Sequence, residues 1–277
     1  MTGLVKKLRE RINGFALSSI AGINNAFVQP KSKEKWEPSG FAELDEITAR
    51  SLVGTDISDH LIVIFVESIA LQPKLIVELG VRGGESTFVF ERTARLCGSN
   101  LVSVDISDCH GASHLETWHF VRKDDVLFAS EFAEWCQTKR TNFPIDVLFI
   151  DTSHLFEHTL KEFESWFPFL SANAKVILHD TNMNVLYRRR NGTMGVAWNN
   201  DRGVIRALEV FLDRKFDETT DFIDYHKGWL IKHYHHSLGL TVLQRFELPE
   251  KKNHQNPSGF SNSVSTMSIV DGGVNQH

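Results

Sequence analysis

From Leu75 onward the chain alternates short apolar runs with longer stretches whose apolar residues recur at helical spacing. The runs cover residues 75–79, 101–105, 118–121, 146–151 and 175–180, and Val, Ile and Leu dominate them. Short, continuous and bounded by polar residues, they predict strands of a parallel sheet covered on both faces. The stretches between them predict helices. Phe88, Val89, Phe90, Ala94 and Leu96 belong to one that stops near Gly98; residues 128–137 form a second; Leu160, Phe163, Trp166, Phe167 and Leu170 mark a third. Residues 201–211, with Val204, Ile205, Leu208 and Phe211, predict an amphipathic helix, and residues 222–225 and 240–243 a final pair of strands. The pattern therefore predicts an α/β fold, a doubly wound, seven-stranded, mostly parallel sheet.

The flanks read differently. Residues 1–55 are mixed and are punctuated as loop by Gln29-Pro30-Lys31-Ser32-Lys33 and Pro38-Ser39-Gly40. Lys6, Lys7, Arg9 and Arg11 among Leu4, Val5, Leu8 and Ile12 give a weakly amphipathic N-terminal helical extension. It reads as a cap or a homo-oligomer arm, and as a solvated helix rather than one lying on a membrane or a partner. Residues 57–72 predict an apolar helix that Ser58 or Asp59 caps and Pro73 stops. Residues 56–247 form the main domain. The tail 248–277, rich in Asn, Ser, Gly and Gln, is expected to be disordered. Residues 181–200 form a polar loop, long enough for a lid or binding loop, whose Arg188-Arg189-Arg190 run hints at an anionic acceptor but fits a solvated surface. His226, His233, His235 and His236 lack a clean ligand spacing and read as loop.

Composition narrows the function. A net charge of -5 and a pI near 6.2 argue against a nucleic-acid partner. Cys97, Cys109 and Cys136 make neither a disulfide framework nor a metal pattern, which points to a reducing, cytoplasmic setting. No apolar run spans a membrane, and no signal peptide is recognisable.

The informative stretch is Val77-Glu78-Leu79-Gly80-Val81-Arg82-Gly83-Gly84-Glu85-Ser86-Thr87. It has the form of the strand–turn–helix unit that opens a nucleotide site in doubly wound folds. The dinucleotide fingerprint does not fit, because Gly80 is followed by Val81-Arg82-Gly83. The phosphate-cradling loop does not fit either, because no Lys-Ser/Thr follows the glycines. Glu78 would repel a pyrophosphate and attract a cationic ligand. S-adenosylmethionine (SAM) has that character: an ammonium, a sulfonium and a small carboxylate, with no phosphate. Gly80 and Gly84 let the backbone come close to it, and Ser86 lies near the helix start, where a carboxylate is held. Glu78, Asp105, Asp151 and Asp180 each end a strand, at the edge where open α/β sheets bind ligands. Asp105 is placed for the ribose hydroxyls, and Asp124 or Asp125 for the adenine amino group. Asp151 and Asp180 offer two hard oxygens of the kind Mg²⁺ takes. His154, three residues after Asp151, is either a general base or a capping or packed histidine.

Three motifs carry a resemblance: Val77-Glu78-Leu79-Gly80 with its glycines, Ile150-Asp151-Thr152-Ser153-His154, and Leu178-His179-Asp180. From Leu75 to about Phe246 the chain resembles class I SAM-dependent methyltransferases. It is similar to the Mg²⁺-dependent sugar and macrolide O-methyltransferases of the mycinamicin and macrocin type, and to cephalosporin hydroxylase-like proteins. The resemblance implies a Rossmann-like methyltransferase fold. It implies SAM bound by Glu78, Gly80, Gly84, Ser86, Asp105, Asp124 and Asp151, metal held by Asp151 and Asp180, and His154 as the base. It implies methyl transfer to a hydroxyl of a small sugar-like or secondary-metabolite acceptor. His179 stands where the family has a second acid. Imidazole suits Zn²⁺, Fe or Ni better than Mg²⁺, so either the metal site is altered with His179 as a third ligand, Asn182 substitutes, or the enzyme works without metal; His179 is alternatively a substrate contact. His179 also keeps open an oxygenase of the hydroxylase-like kind, which iron content and oxygen consumption would reveal. A SAM-binding protein without catalysis would bind cofactor and methylate nothing.

Overall fold

The computed structural model describes residues 2–28, 37–141 and 143–246. The side chains of Lys6, Lys7, Arg9 and Arg11 and the tail at 248–277 lie outside what it describes, as does the Pro30 loop. The strands are β1 (Leu75–Leu79), β2 (Asn100–Asp105), β3 (Trp118–Arg122), β4 (Ile145–Ile150), β5 (Leu170–His179), β6 (Leu186–Arg188), β7 (Met194–Val196), β8 (Phe222–His226), β9 (Trp229–Tyr234) and β10 (Leu240–Arg245). The helices are α1 (Thr2–Phe27), α2 (Ala42–Ser51), α3 (Leu61–Ile69), α4 (Glu85–Cys97), α5 (Asp125–Ala129), α6 (Phe132–Lys139), α7 (Phe156–Trp166) and α8 (Gly203–Leu212).

Eight strands form one sheet in the order β3-β2-β1-β4-β5-β10-β9-β8. The first five are parallel, and β10, β9 and β8 run antiparallel to their neighbours. The expected seven strands become eight because residues 229–234 form β9 rather than loop. Its side chains alternate between the two faces, with Trp229, Ile231 and His233 buried. His233 is only 1% exposed: it stacks on Phe222 and shares hydrogen bonds with Thr241 Oγ1 and the Glu218 carbonyl. A histidine satisfied in this way occupies an inward position that a hydrophobic pattern does not show.

Strand alternation sorts the core. Leu75, Val77 and Leu79 face a cluster with Phe128, Phe132, Phe163, Trp166 and Leu208 from α5 to α8. Ile76 faces the opposite cluster, built with Ile64, Phe65, Val89 and Phe90 from α3 and α4. Each such fully buried side chain contributes roughly 1.5–3 kcal/mol. Glu78 falls on the α4 side by the same period of two. The predicted helix at 57–72 becomes a 3₁₀ turn (Ser58–His60) followed by α3, and Asp59 does not cap it. Its carboxylate accepts from Arg190 N (2.9 Å) and Ser237 Oγ (2.6 Å), and so ties down the 181–200 segment.

That segment is not wholly loop, because β6 and β7 pair as a hairpin. Arg189 is spent inside it, donating to the Thr55 carbonyl, Tyr187 Oη and the Met194 carbonyl. The end of α1 lies on this hairpin through Asn24 to the Gly192 carbonyl and Asn25 to both polar groups of the Met194 backbone. Among the described residues no helix is long and apolar enough to cross a membrane.

Candidate active site

Register decides which strand-end acids meet. Leu79, the last residue of β1, pairs with Val104 and Ile150, so Asp105 and Asp151 stand level with Gly80 just past the sheet edge. Ile150 pairs with Leu178, which puts His179 beside Asp151 and Asp180 one step beyond. Glu78 lies two positions lower, inside the sheet. Its carboxylate is fully buried and accepts from Ser86 Oγ (2.6 Å), Thr87 Oγ1 (2.9 Å) and Ser103 Oγ (2.5 Å). The expectation set Glu78 among the groups meeting a cofactor; the structure sets it one layer beneath, bracing the start of α4 against β1 and β2. Burial pushes its carboxyl up to about 7, against the three hydroxyls.

This gives a pH prediction. An acid whose folded pKa exceeds its unfolded value binds more protons when folded, so stability declines as pH rises from about 4.5 to about 7. Glu78→Gln should flatten that decline, as read by Tm across this range; an unchanged slope would show that Glu78 is ionised throughout.

Above Glu78 lies a cavity of about 420 Å³, bounded by Gly80, Arg82, Ser86, Asp105, Asp124, Asp151 and His154. Gly84 is the N-cap of α4, behind this wall, and Ser86 meets both the cavity and Glu78. Asp105 braces the glycine turn, with Oδ2 accepting from Val81 N (2.9 Å) and Arg82 N (3.1 Å) and Oδ1 from Ser107 N (2.7 Å). Burial opposes its charge, but these N–H groups outweigh burial and hold the carboxyl below the usual carboxylate range. Asp124 caps α5 by accepting from Leu127 N (2.9 Å). Arg82, at the cavity mouth, makes a two-pronged pair with Asp56 (2.7 and 2.8 Å).

A second constellation centres on Asp151 and His154. His154 Nε2 lies 3.0 Å from both Asp151 Oδ1 and Asp180 Oδ2. His179 Nδ1 lies 3.2 Å from Asp151 Oδ1 and 3.1 Å from Asp180 Oδ1. Two carboxylates are thus compensated by two imidazoles. Burial works against charge on His154, yet the two acids push it up to about 10; His179, opposed by burial and held by the same acids, rises to about 9. Asp180 is buried behind the cavity, and His179 Nε2 is buried without a hydrogen-bond partner. The atoms placed to share an ion are those of Asp151, His154 and Asp180, with His179 behind them.

Local structure fixes this wall. His154 has φ +58 and Asp180 φ +58, so both side chains leave strained turns. Gly203, the first residue of α8, packs so closely that a Cβ there would come within 2.3 Å of the His154 carbonyl. Three residues at or beside the cavity carry no local sequence signal. Arg82 and Asp56 become partners only in the fold. Trp198, 45% exposed, lies with its ring 6.1 Å from that of His154, and only the hairpin brings it there.

Residues 77–181 match the family model described as a methyltransferase domain. That stretch has the sequence of a methyltransferase domain. Among curated proteins, the chain's sequence is 30% identical over 121 residues to a rhamnosyl O-methyltransferase of Mycobacterium bovis (strain BCG / Pasteur 1173P2), covering 41% of this chain and 48% of that protein. It is 29% identical over 125 residues to one from Mycobacterium leprae (strain TN), covering 42% and 52%. The chain therefore spans about half the length of the curated relatives it matches. Among solved structures it is similar to MycE methyltransferase from the mycinamycin biosynthetic pathway, solved with Mg, SAH and mycinamycin VI (TM-score 0.47, 17% identity, 79% of this chain and 57% of that one). It is also similar to a putative caffeoyl-CoA O-methyltransferase from Staphylococcus aureus (TM-score 0.48, 16% identity, 75% and 93%). Within the methyltransferase domain, the glycine turn, the Asp151–His154 stretch and Asp180 all fall in the matched region.

Proposed function

We propose that this chain is a SAM-dependent O-methyltransferase that methylates a hydroxyl of a sugar-like or secondary-metabolite acceptor. One observation carries the reading: a single cavity joins the glycine turn and Asp105 to the Asp151–His154 wall. SAM lies along the turn, its ribose on Asp105 and its adenine beside Asp124, with the methyl group toward His154. The names of the curated relatives support a sugar hydroxyl as acceptor. Trp198 beside His154 supplies an apolar face for a sugar ring. Residues 1–55 act as a cap on the acceptor side, where α1 lies on the β6–β7 hairpin.

The acceptor hydroxyl approaches in line with the sulfonium, and positioning supplies much of the rate. His154 Nε2 is the proposed proton acceptor. Held between two carboxylates it keeps its proton at neutral pH, so it acts as a base only when their charge is otherwise compensated. Asp151 and Asp180 fit such a role through their two hard oxygens, with His154 left unligated as the base. A divalent cation bound on them would relieve His154 of its proton and acidify the acceptor hydroxyl.

Asp105→Asn tests the cofactor placement by calorimetry. Losing a charge-assisted hydrogen bond should weaken SAM binding about tenfold or more. Unchanged affinity would sink the placement of the ribose.

A further inference from the structure

A second carboxylate pair lies on the other side of Thr152. Asp125, at the start of α5, is 6% exposed, and Glu162, on α7, is fully buried. His158 stands between them, its Nε2 3.1 Å from Asp125 Oδ1 and 3.6 Å from Glu162 Oε1. Thr152 Oγ1 donates to Glu162 Oε1 at 2.5 Å. The remaining oxygens, Asp125 Oδ2 and Glu162 Oε2, are buried with no hydrogen-bond partner. Bare buried carboxylate oxygens are costly, and native folds rarely leave them unsatisfied.

Charge sharpens the contrast with the Asp151–Asp180 wall. There, two imidazoles compensate two acids. Here the two acids, with Asp124 next along the chain, face one imidazole. The contacts left open are the two bare oxygens, Asp125 Oδ2 and Glu162 Oε2. One donor atom each from Asp125, His158 and Glu162 lies within 4.8 Å of the others, close enough to share an ion. His158 and Glu162 are four residues apart on α7, the spacing that puts two ligands on one helix face.

We propose that Asp125, His158 and Glu162 hold a divalent cation, separate from any ion on Asp151 and Asp180. Two carboxylates and one imidazole make a set for Zn²⁺, three protein ligands leaving a position for water. Asp125 and His158 also line the cavity, so the ion ties α5 to α7 beneath the surface that, on the function proposed above, carries the cofactor. Its role is to set that surface.

The test uses the full chain stripped with EDTA and titrated with Zn²⁺, in an Asp151→Asn/Asp180→Asn background that disables the other wall. Calorimetry should find one Zn²⁺ equivalent, and a hundredfold excess over Kd should raise Tm by about 5 °C or more. Adding Glu162→Gln should abolish both the binding and the Tm rise, and His158→Gln, a milder change on a partly exposed side chain, should do the same. The rival is a proton shared between Asp125 and Glu162, which the carboxamide of Glu162→Gln would imitate. If no Zn²⁺ binds in the background, or if both variants bind it as the background does, the cation site is overturned.

Discussion

His154→Gln is expected to slow methyl transfer by about 10²- to 10⁴-fold, the range that a positioned proton acceptor contributes. SAM affinity should stay nearly unchanged, because the partners of His154 are Asp151 and Asp180 rather than Asp105 or the glycine turn. Single-turnover rates at saturating SAM, alongside SAM calorimetry, read the two effects separately. Glutamine keeps the polar reach of the side chain but cannot take up a proton. It also leaves Asp151 and Asp180 facing His179 alone, so Tm should be followed beside the rate. A variant that keeps full turnover would remove His154 as the base and leave the SAM assignment standing.

Gly80→Ala should act on the fold as well as on the site. Gly80 has φ +89, and a Cβ there would lie 2.0 Å from the Asp151 carbonyl oxygen. The backbone conformation alone costs an alanine roughly 1–2 kcal/mol, and the overlap adds about 1–3 kcal/mol as β4 gives way. For a chain of this size, Tm should fall by roughly 5–15 °C. The displaced end of β4 carries Asp151 away from His154 and His179, so SAM binding and turnover should fail together in whatever fraction still folds. If Gly80→Ala keeps wild-type Tm and SAM affinity, the turn is looser than its contacts imply.

The two substitutions separate what each wall does. Gly80 permits the approach of β1 to β4 that makes the cavity; His154 acts within a cavity already formed. Asp105 belongs with Gly80 in this respect, since its carboxylate braces Val81 and Arg82 as well as lining the cavity.

Much of this site is legible in the amino-acid sequence. The strand-end positions of Asp105, Asp151 and Asp180 follow from apolar runs whose lengths local hydropathy sets. The helix after Gly84, stopping at Gly98, follows from glycine placement and helical periodicity, both read within a dozen residues. Where local pattern misleads, a polar group has found a buried partner. His233 breaks the alternation of β9 and hides a strand. Asp59 has the position of a helix cap and is instead an anchor for Arg190 and Ser237.

By itself, then, the amino-acid order determined most of the elements, their parallel core and the strand-end positions of Asp105, Asp151 and Asp180. The tertiary structure decided which of those acids share a site. Strand order sets β1 between β2 and β4, and β5 beyond β4, and no local signal encodes that order. It is settled by burial of both sheet faces at once, a property of the whole chain. From it follow the depth of Glu78 beneath the cavity, the clasp of Asp151 and Asp180 around His154, and the meeting of Asp125 with Glu162 across two helices.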